Sequence, residues 1–170
     1  MEENFDVMAP VNINHARNIL RAKDEVAWRN ELQTVSKLRT YCTFKDTYNP
    51  EPFLFKVTDR HHRSVLAQFR CGILPLKIET GRYQSIPPEF RLCVLCEDNV
   101  VESESHFMFF CAKYKSLRDD LYNYVISIVP EFLNCNESQK FKILMSEHFV
   151  KRTAEYLYKC YNIRQNTIYR

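Results

Sequence analysis

Apolar side chains recur at three- and four-residue intervals in several segments of this chain, the spacing of helices that bury one stripe. Trp28, Leu32, Val35 and Leu38 form the first stripe, on a helix expected from about Asn14 to Thr40. Lys23-Asp24 is a point at which it can break, with Asp24 capping the second piece. Asn49-Pro50-Glu51-Pro52 interrupts the pattern, because each proline restricts its own backbone and that of the residue before it. Phe53-Leu54-Phe55 reads as a short extended or buried piece, and Thr58 or Asp59 then caps a helix to about Cys71. Val65, Leu66 and Phe69 face inward on that helix, and Gly72 followed by Pro75 marks its end. A short turn or helix from Leu76 to Thr80 stops at Gly81. Ser103 or Ser105 opens the next helix, and Tyr114, Leu117, Leu121, Tyr124 or Val125, and Ile128 continue an amphipathic pattern to Pro130. Helices over about 137–146 and 148–164 complete the chain. The expected class is mainly α, with residues 1–10 a loose leader and 11–170 one irregular helical domain.

Composition narrows this further. The chain has 170 residues, 45% of them hydrophobic, enough for one domain with a real core. Gly72 and Gly81 are its two glycines, which argues against hairpin-rich β folds and phosphate-cradling loops. Seven cysteines cannot all pair, and Met-Glu-Glu-Asn-Phe-Asp is not the start of a secretory signal. No apolar run reaches bilayer-spanning length. The expectation is a reduced, intracellular protein of nucleus or cytoplasm with no membrane partner. Cys42, Cys71, Cys135 and Cys160 are then read as small core residues.

The remaining three cysteines stand apart. Cys93-Val94-Leu95-Cys96, with His106 after nine residues and Cys111 after four more, places four soft or borderline donors close together. That is the number and type a closed tetrahedral Zn2+ site takes. A two-residue gap lets one tight turn aim both thiolates at an ion, and the acidic loop Glu97–Glu102 carries the chain to the second pair. The zinc-binding segment is expected over about 90–118. Four protein ligands leave no open position for metal catalysis. No Gly-x-Ser-x-Gly elbow, phosphate loop or His-Glu-x-x-His motif is present, so no enzymatic activity is expected.

The net charge of +3 is modest, but it is unevenly placed. From Lys56 to Arg91 there are seven Lys/Arg against three acids, and from His148 to Arg170 five against one. Basic flanks around a zinc site suit phosphate contacts. The side chains expected to contact nucleic acid are Arg60, Arg63, Arg70, Arg82, Arg91, Lys113 and Lys115. His61 and His62, adjacent on a helix, point about 100° apart and are read as surface residues rather than joint metal ligands.

Several of these stretches resemble the C-terminal region of non-LTR (LINE-type) retrotransposon reverse transcriptases. The residues that carry the resemblance are Leu38-Arg39-Thr40-Tyr41, Phe44-Lys45, His62 to Arg70, Ile78 to Tyr83, Arg91 to Cys96, and His106 to Tyr114 with Leu117-Arg118. It covers about Trp28 to Arg118. The family commonly has acidic residues just before the histidine, and Glu102-Ser103-Glu104-Ser105 follows that only in part. No Tyr-x-Asp-Asp polymerase motif occurs. The resemblance implies a terminal zinc-binding region, as a fragment, remnant or domesticated derivative, that binds template RNA or target DNA without polymerising. The alternative is a zinc-stabilised structural or protein-interaction module that packs on a polymerase or another chain.

Overall fold

The computed structural model describes residues 12–169; the leader expected over 1–10 lies outside them. Among the described residues the fold is helical, and the one β-type pairing is an isolated antiparallel bridge between Leu92 and Val101. The chain divides into two compact units, with the boundary between Val35 and Ser36.

Among the described residues the first unit holds one helix, α1 (Ile13–Thr34). Asn12 caps it, its side chain accepting hydrogen bonds from the N–H groups of Asn14 and His15 at 3.1 and 3.2 Å. The helix runs unbroken through Lys23-Asp24, so Asp24 caps nothing. No α1 residue is buried, and Ile19, Leu20 and Val26 are exposed. Trp28 and Leu32 on that stripe are half-buried and lie outside the fully buried core.

The second unit contains seven further α-helices: α2 (Tyr41–Phe44), α3 (Phe53–Lys56), α4 (Arg60–Arg70), α5 (Lys77–Tyr83), α6 (Lys115–Ile126), α7 (Glu137–Leu144) and α8 (Val150–Ile168). Phe53-Leu54-Phe55 thus forms a helical turn rather than an extended piece. Asp59 caps α4 by accepting from His62 N–H at 2.9 Å, and Asn136 with Gln139 forms a reciprocal capping box on α7. The largest helix pairing is α4 against α8, with α3 and α6 also packed on α8. Val65, Leu66 and Phe69 from α4 meet Val150, Ala154 and Leu157 from α8 within one buried cluster. Each large apolar side chain so buried contributes about 1.5–3 kcal/mol. Phe141 of α7 joins it through Phe69, Phe44 and Phe109, the last at 4.5 Å between ring centres.

Both glycines answer to geometry. Gly72 follows α4 with φ +64°, and a Cβ there would lie 2.1 Å from the carbonyl oxygen of Lys37. Gly81 does not stop its helix, which continues to Tyr83; the side chain of Arg91 crosses where its Cβ would stand, at 2.7 Å. Of the four cysteines expected in the core, Cys160 is buried, Cys135 is half-buried, and Cys42 and Cys71 are exposed.

Candidate metal centre

The first ligand pair sits on a short loop closed like a hairpin. Cys93 N–H donates to Val100 C=O at 2.8 Å and Glu102 N–H to Arg91 C=O at 2.9 Å, on either side of the Leu92–Val101 bridge. The turn then supplies its own donors to sulfur. Backbone N–H groups of Leu95 and Cys96 act to lower the pKa of Cys93, that of Asp98 to lower that of Cys96, and that of Lys113 to lower that of Cys111. Such donors stabilise thiolates.

The second pair depends on an unusual turn. Ser103 Oγ accepts from His106 N–H at 3.1 Å and so starts the helical segment, as its position in the sequence suggested. From His106 to Phe110 the backbone is π-helical, closed by Cys111 N–H donating to His106 C=O at 2.8 Å. In an α-helix, positions five apart point about 140° from each other. The wider turn brings His106 and Cys111 to one side, and such turns are frequent at functional sites.

The four ligand atoms, three Sγ and His106 Nε2, lie within 4.8 Å of one another. Cys93 and Cys111 sulfurs are 4.0 Å apart, and Cys96 Sγ is 3.4 Å from His106 Nε2. A tetrahedral ion with bonds of about 2.3 Å needs donors about 3.8 Å apart. The cluster could therefore hold a metal ion, and its geometry agrees with the ligand set read from the sequence. Cys93, His106 and Cys111 are buried and Cys96 half-buried. The hydrogen bond from the Cys111 thiol holds Cys93 well below the ordinary thiol range, against the opposing effect of burial. Cys111 is held above it by the same bond and by burial.

Elements distant in sequence fix this frame. Glu102 and Glu104, each 1% exposed, flank Ser103. Glu102 accepts from Arg164 of α8 through two bonds of 2.8 and 2.9 Å, and from Lys77 N–H at the start of α5 at 2.7 Å. Glu104 accepts from Arg39 at 2.7 and 2.8 Å. Tyr156 of α8 donates to Met108 C=O at 2.9 Å and Arg118 of α6 to Cys111 C=O at 3.0 Å, so α6 and α8 both grip the π turn. None of these partners was singled out from the sequence as supporting the site. Their signal is a contact between remote positions, which one sequence does not display.

No family model, curated protein or solved structure matches this chain.

The basic residues expected to bind nucleic acid have divergent fates. Arg70 is 2% exposed, ion-paired with Glu51, and stacked over the rings of Phe44, Phe53 and Tyr41 at 4.4, 5.1 and 5.7 Å. Burial pulls its guanidinium below the ordinary range despite Glu51. Its Nε and Nη1 have no hydrogen-bond partner among the described residues, so the aromatic faces are what offset their desolvation. Arg70 is a core cation and leaves the phosphate-contacting set. Arg91 is also occupied, donating to Ile86 and Ile78 carbonyls at 2.8 and 2.7 Å. Arg63 is half-buried and donates to Val57 C=O at 2.9 Å. Arg82 pairs with Glu79 and Lys115 with Asp119 on their own helices. Arg60 and Lys113 are exposed. His61 and His62 stand outside the metal cluster and pack on Tyr158 of α8, with ring centres 6.2 and 4.7 Å away.

Proposed function

We propose that this chain is a zinc-stapled helical module that binds the backbone of RNA or single-stranded DNA and catalyses nothing itself. Three thiolates and one imidazole in a tetrahedral frame suit Zn2+, which has no geometric demand of its own beyond four-coordination. Its role is to hold the hairpin turn and the π turn together. The resemblance to the C-terminal region of retrotransposon reverse transcriptases supports the choice of ligand.

The observation that carries the nucleic-acid reading is the meeting of the two basic stretches. The first turn of α4, with Arg60, His61, His62 and Arg63, lies against α8 through Tyr158. Lys151, exposed and seven residues before Tyr158, falls on the same face of α8. Cations beside aromatic rings suit a single strand, where phosphates and unstacked bases are both within reach. Replacing Arg60 and Lys151 by glutamate should weaken binding to a labelled single-stranded oligonucleotide, across sequences, without unfolding the protein. Each phosphate contact adds roughly 0.7 to the slope of log affinity against log salt, so about three contacts give about a hundredfold loss per tenfold rise in salt. Anisotropy titrations insensitive to both salt and these substitutions would reject the reading.

The non-catalytic part rests on a ligand set that leaves zinc no water-bearing position. Template-dependent nucleotide incorporation by the purified chain would overturn it. A second reading, a zinc-stabilised structural or protein-interaction module, is favoured by one observation. Arg70 and Arg91 are spent on internal packing, which reduces the cationic surface available to phosphate.

A further inference from the structure

A separate surface feature lies against the metal centre. Val94, Val100 and Phe110 are 53%, 40% and 55% exposed, apolar surface contributed by both halves of the ligand set. Phe110 is the outward member of an aromatic run whose other residues, Phe107 and Phe109, are buried. The π turn and the hairpin loop leave a groove of about 400 Å3 between them. That lies within the roughly 300–1,000 Å3 range of clefts that take a ligand. Its apolar lining comes from Val100, Val101 and Phe110, and its polar lining from Asp98, Ser103, Ser105 and His106.

The charge around this groove has one sign. No lysine or arginine lines it. The exposed Asp98 lies on its wall, with exposed Glu97 next in the chain. Ser105 hydrogen-bonds to Glu137 at the start of α7, which places a further carboxylate at that edge. An apolar floor under carboxylates repels phosphate and favours a cation attached to an apolar side chain.

We propose that this groove is a docking site for a protein segment that presents a large apolar side chain next to lysine or arginine. The apolar side chain seats against Val100, Val101 and Phe110, and the cation meets Asp98 and Glu137. The two halves of the metal centre form the groove walls, so the metal keeps the site assembled before the partner arrives, which lowers the ordering cost of binding. This site is distinct from the α4–α8 face and does not depend on it.

The experiment is selection of short random peptides displayed on phage against the zinc-loaded full chain, followed by affinity measurements on synthetic copies of the winners. Enriched peptides should pair Leu, Ile, Phe or Trp with an adjacent Lys or Arg. Phe110→Ser, which alters an exposed side chain, should weaken them by about tenfold or more, as should Glu137→Lys. Asp98→Lys should do the same, and zinc content measured on every variant separates loss of the groove from loss of the metal. Enrichment of acidic peptides, failure to enrich any sequence, or affinity unchanged in zinc-loaded Phe110→Ser and Glu137→Lys would each overturn the proposal. So would loss of oligonucleotide binding in zinc-loaded Phe110→Ser, since that assigns the groove to nucleic acid instead.

Discussion

A chelator should lower the melting temperature of the zinc-loaded chain sharply, and the first structure to go should be the π turn with α6 behind it. Cys93 and Cys111 are buried, and Cys111 hands the chain directly into the turn that begins α6. If the π turn relaxes, Arg118 loses the Cys111 carbonyl and Tyr156 loses the Met108 carbonyl, so α6 and α8 release it together. Ligands drawn from two separate turns couple metal binding to folding. Serine at Cys93 or Cys111 should therefore cost about 4–5 kcal/mol, the range associated with loss of a structural metal. For a protein of this size that corresponds to roughly 10–15 °C. Circular-dichroism melts with and without chelator, alongside the two serine variants, report the effect. Superimposable curves would show that the centre is no staple. Because the ligands must shed protons to bind, metal loading should also fall as pH is lowered.

The second large effect is expected at the Glu102–Arg164 pair. Both side chains are nearly inaccessible, at 1% and 3% exposure. Burial acts to lower the pKa of Arg164, but the two hydrogen bonds and the charge of Glu102 outweigh it, and the net shift is upward. Arg164 is thus held charged inside the protein. Replacing Arg164 by leucine leaves a buried carboxylate without its counter-ion, which costs about 3–5 kcal/mol. Replacing Glu102 by leucine as well should recover part of that loss. The recovery stays partial because Lys77 N–H then loses the carboxylate oxygen it donates to at 2.7 Å. Urea unfolding of the two single variants and the double variant closes the cycle. An Arg164→Leu variant within about 1 kcal/mol of the parent would mean that the pair is not buried in solution.

The parts of the molecule legible from sequence are those specified by neighbours in the chain. Cys93 and Cys96 share one turn, Ser103 caps three residues ahead, Asp59 caps α4, and Gly72 ends it. Each is a local event, and periodicity supplied the helices between them. What stayed hidden was decided by residues far apart. Arg164 and Glu102 are 62 positions from each other, and Arg39 and Glu104 are 65. Arg70 reads as a surface cation at the end of an amphipathic helix until Phe44, Phe53 and Tyr41 are seen to surround it. The same applies to Glu102: as a letter in an acidic loop it looks solvated, and in the fold it is one of the least exposed residues. Trp28 and Leu32 show the reverse error, since a helical stripe states which face a helix can bury without stating how completely, and both are only half-buried.

The π turn gives the two sides of the metal centre different tolerances for length. Between His106 and Cys111 the span is metered by a backbone hydrogen bond from Cys111 to His106, five positions earlier, so the number of intervening residues is itself part of the coordination geometry. Between Cys96 and His106 the chain first passes through exposed residues at 97–99, where Asn99 turns it at φ +52°. One span is a ruler throughout, and the other is slack only at its tip. A chain that builds its centre this way must keep four residues between histidine and the last cysteine, while length before the histidine can change at the exposed 97–99 tip and not at 100–105, where backbone bonds and the Glu102 and Glu104 ion pairs fix the path.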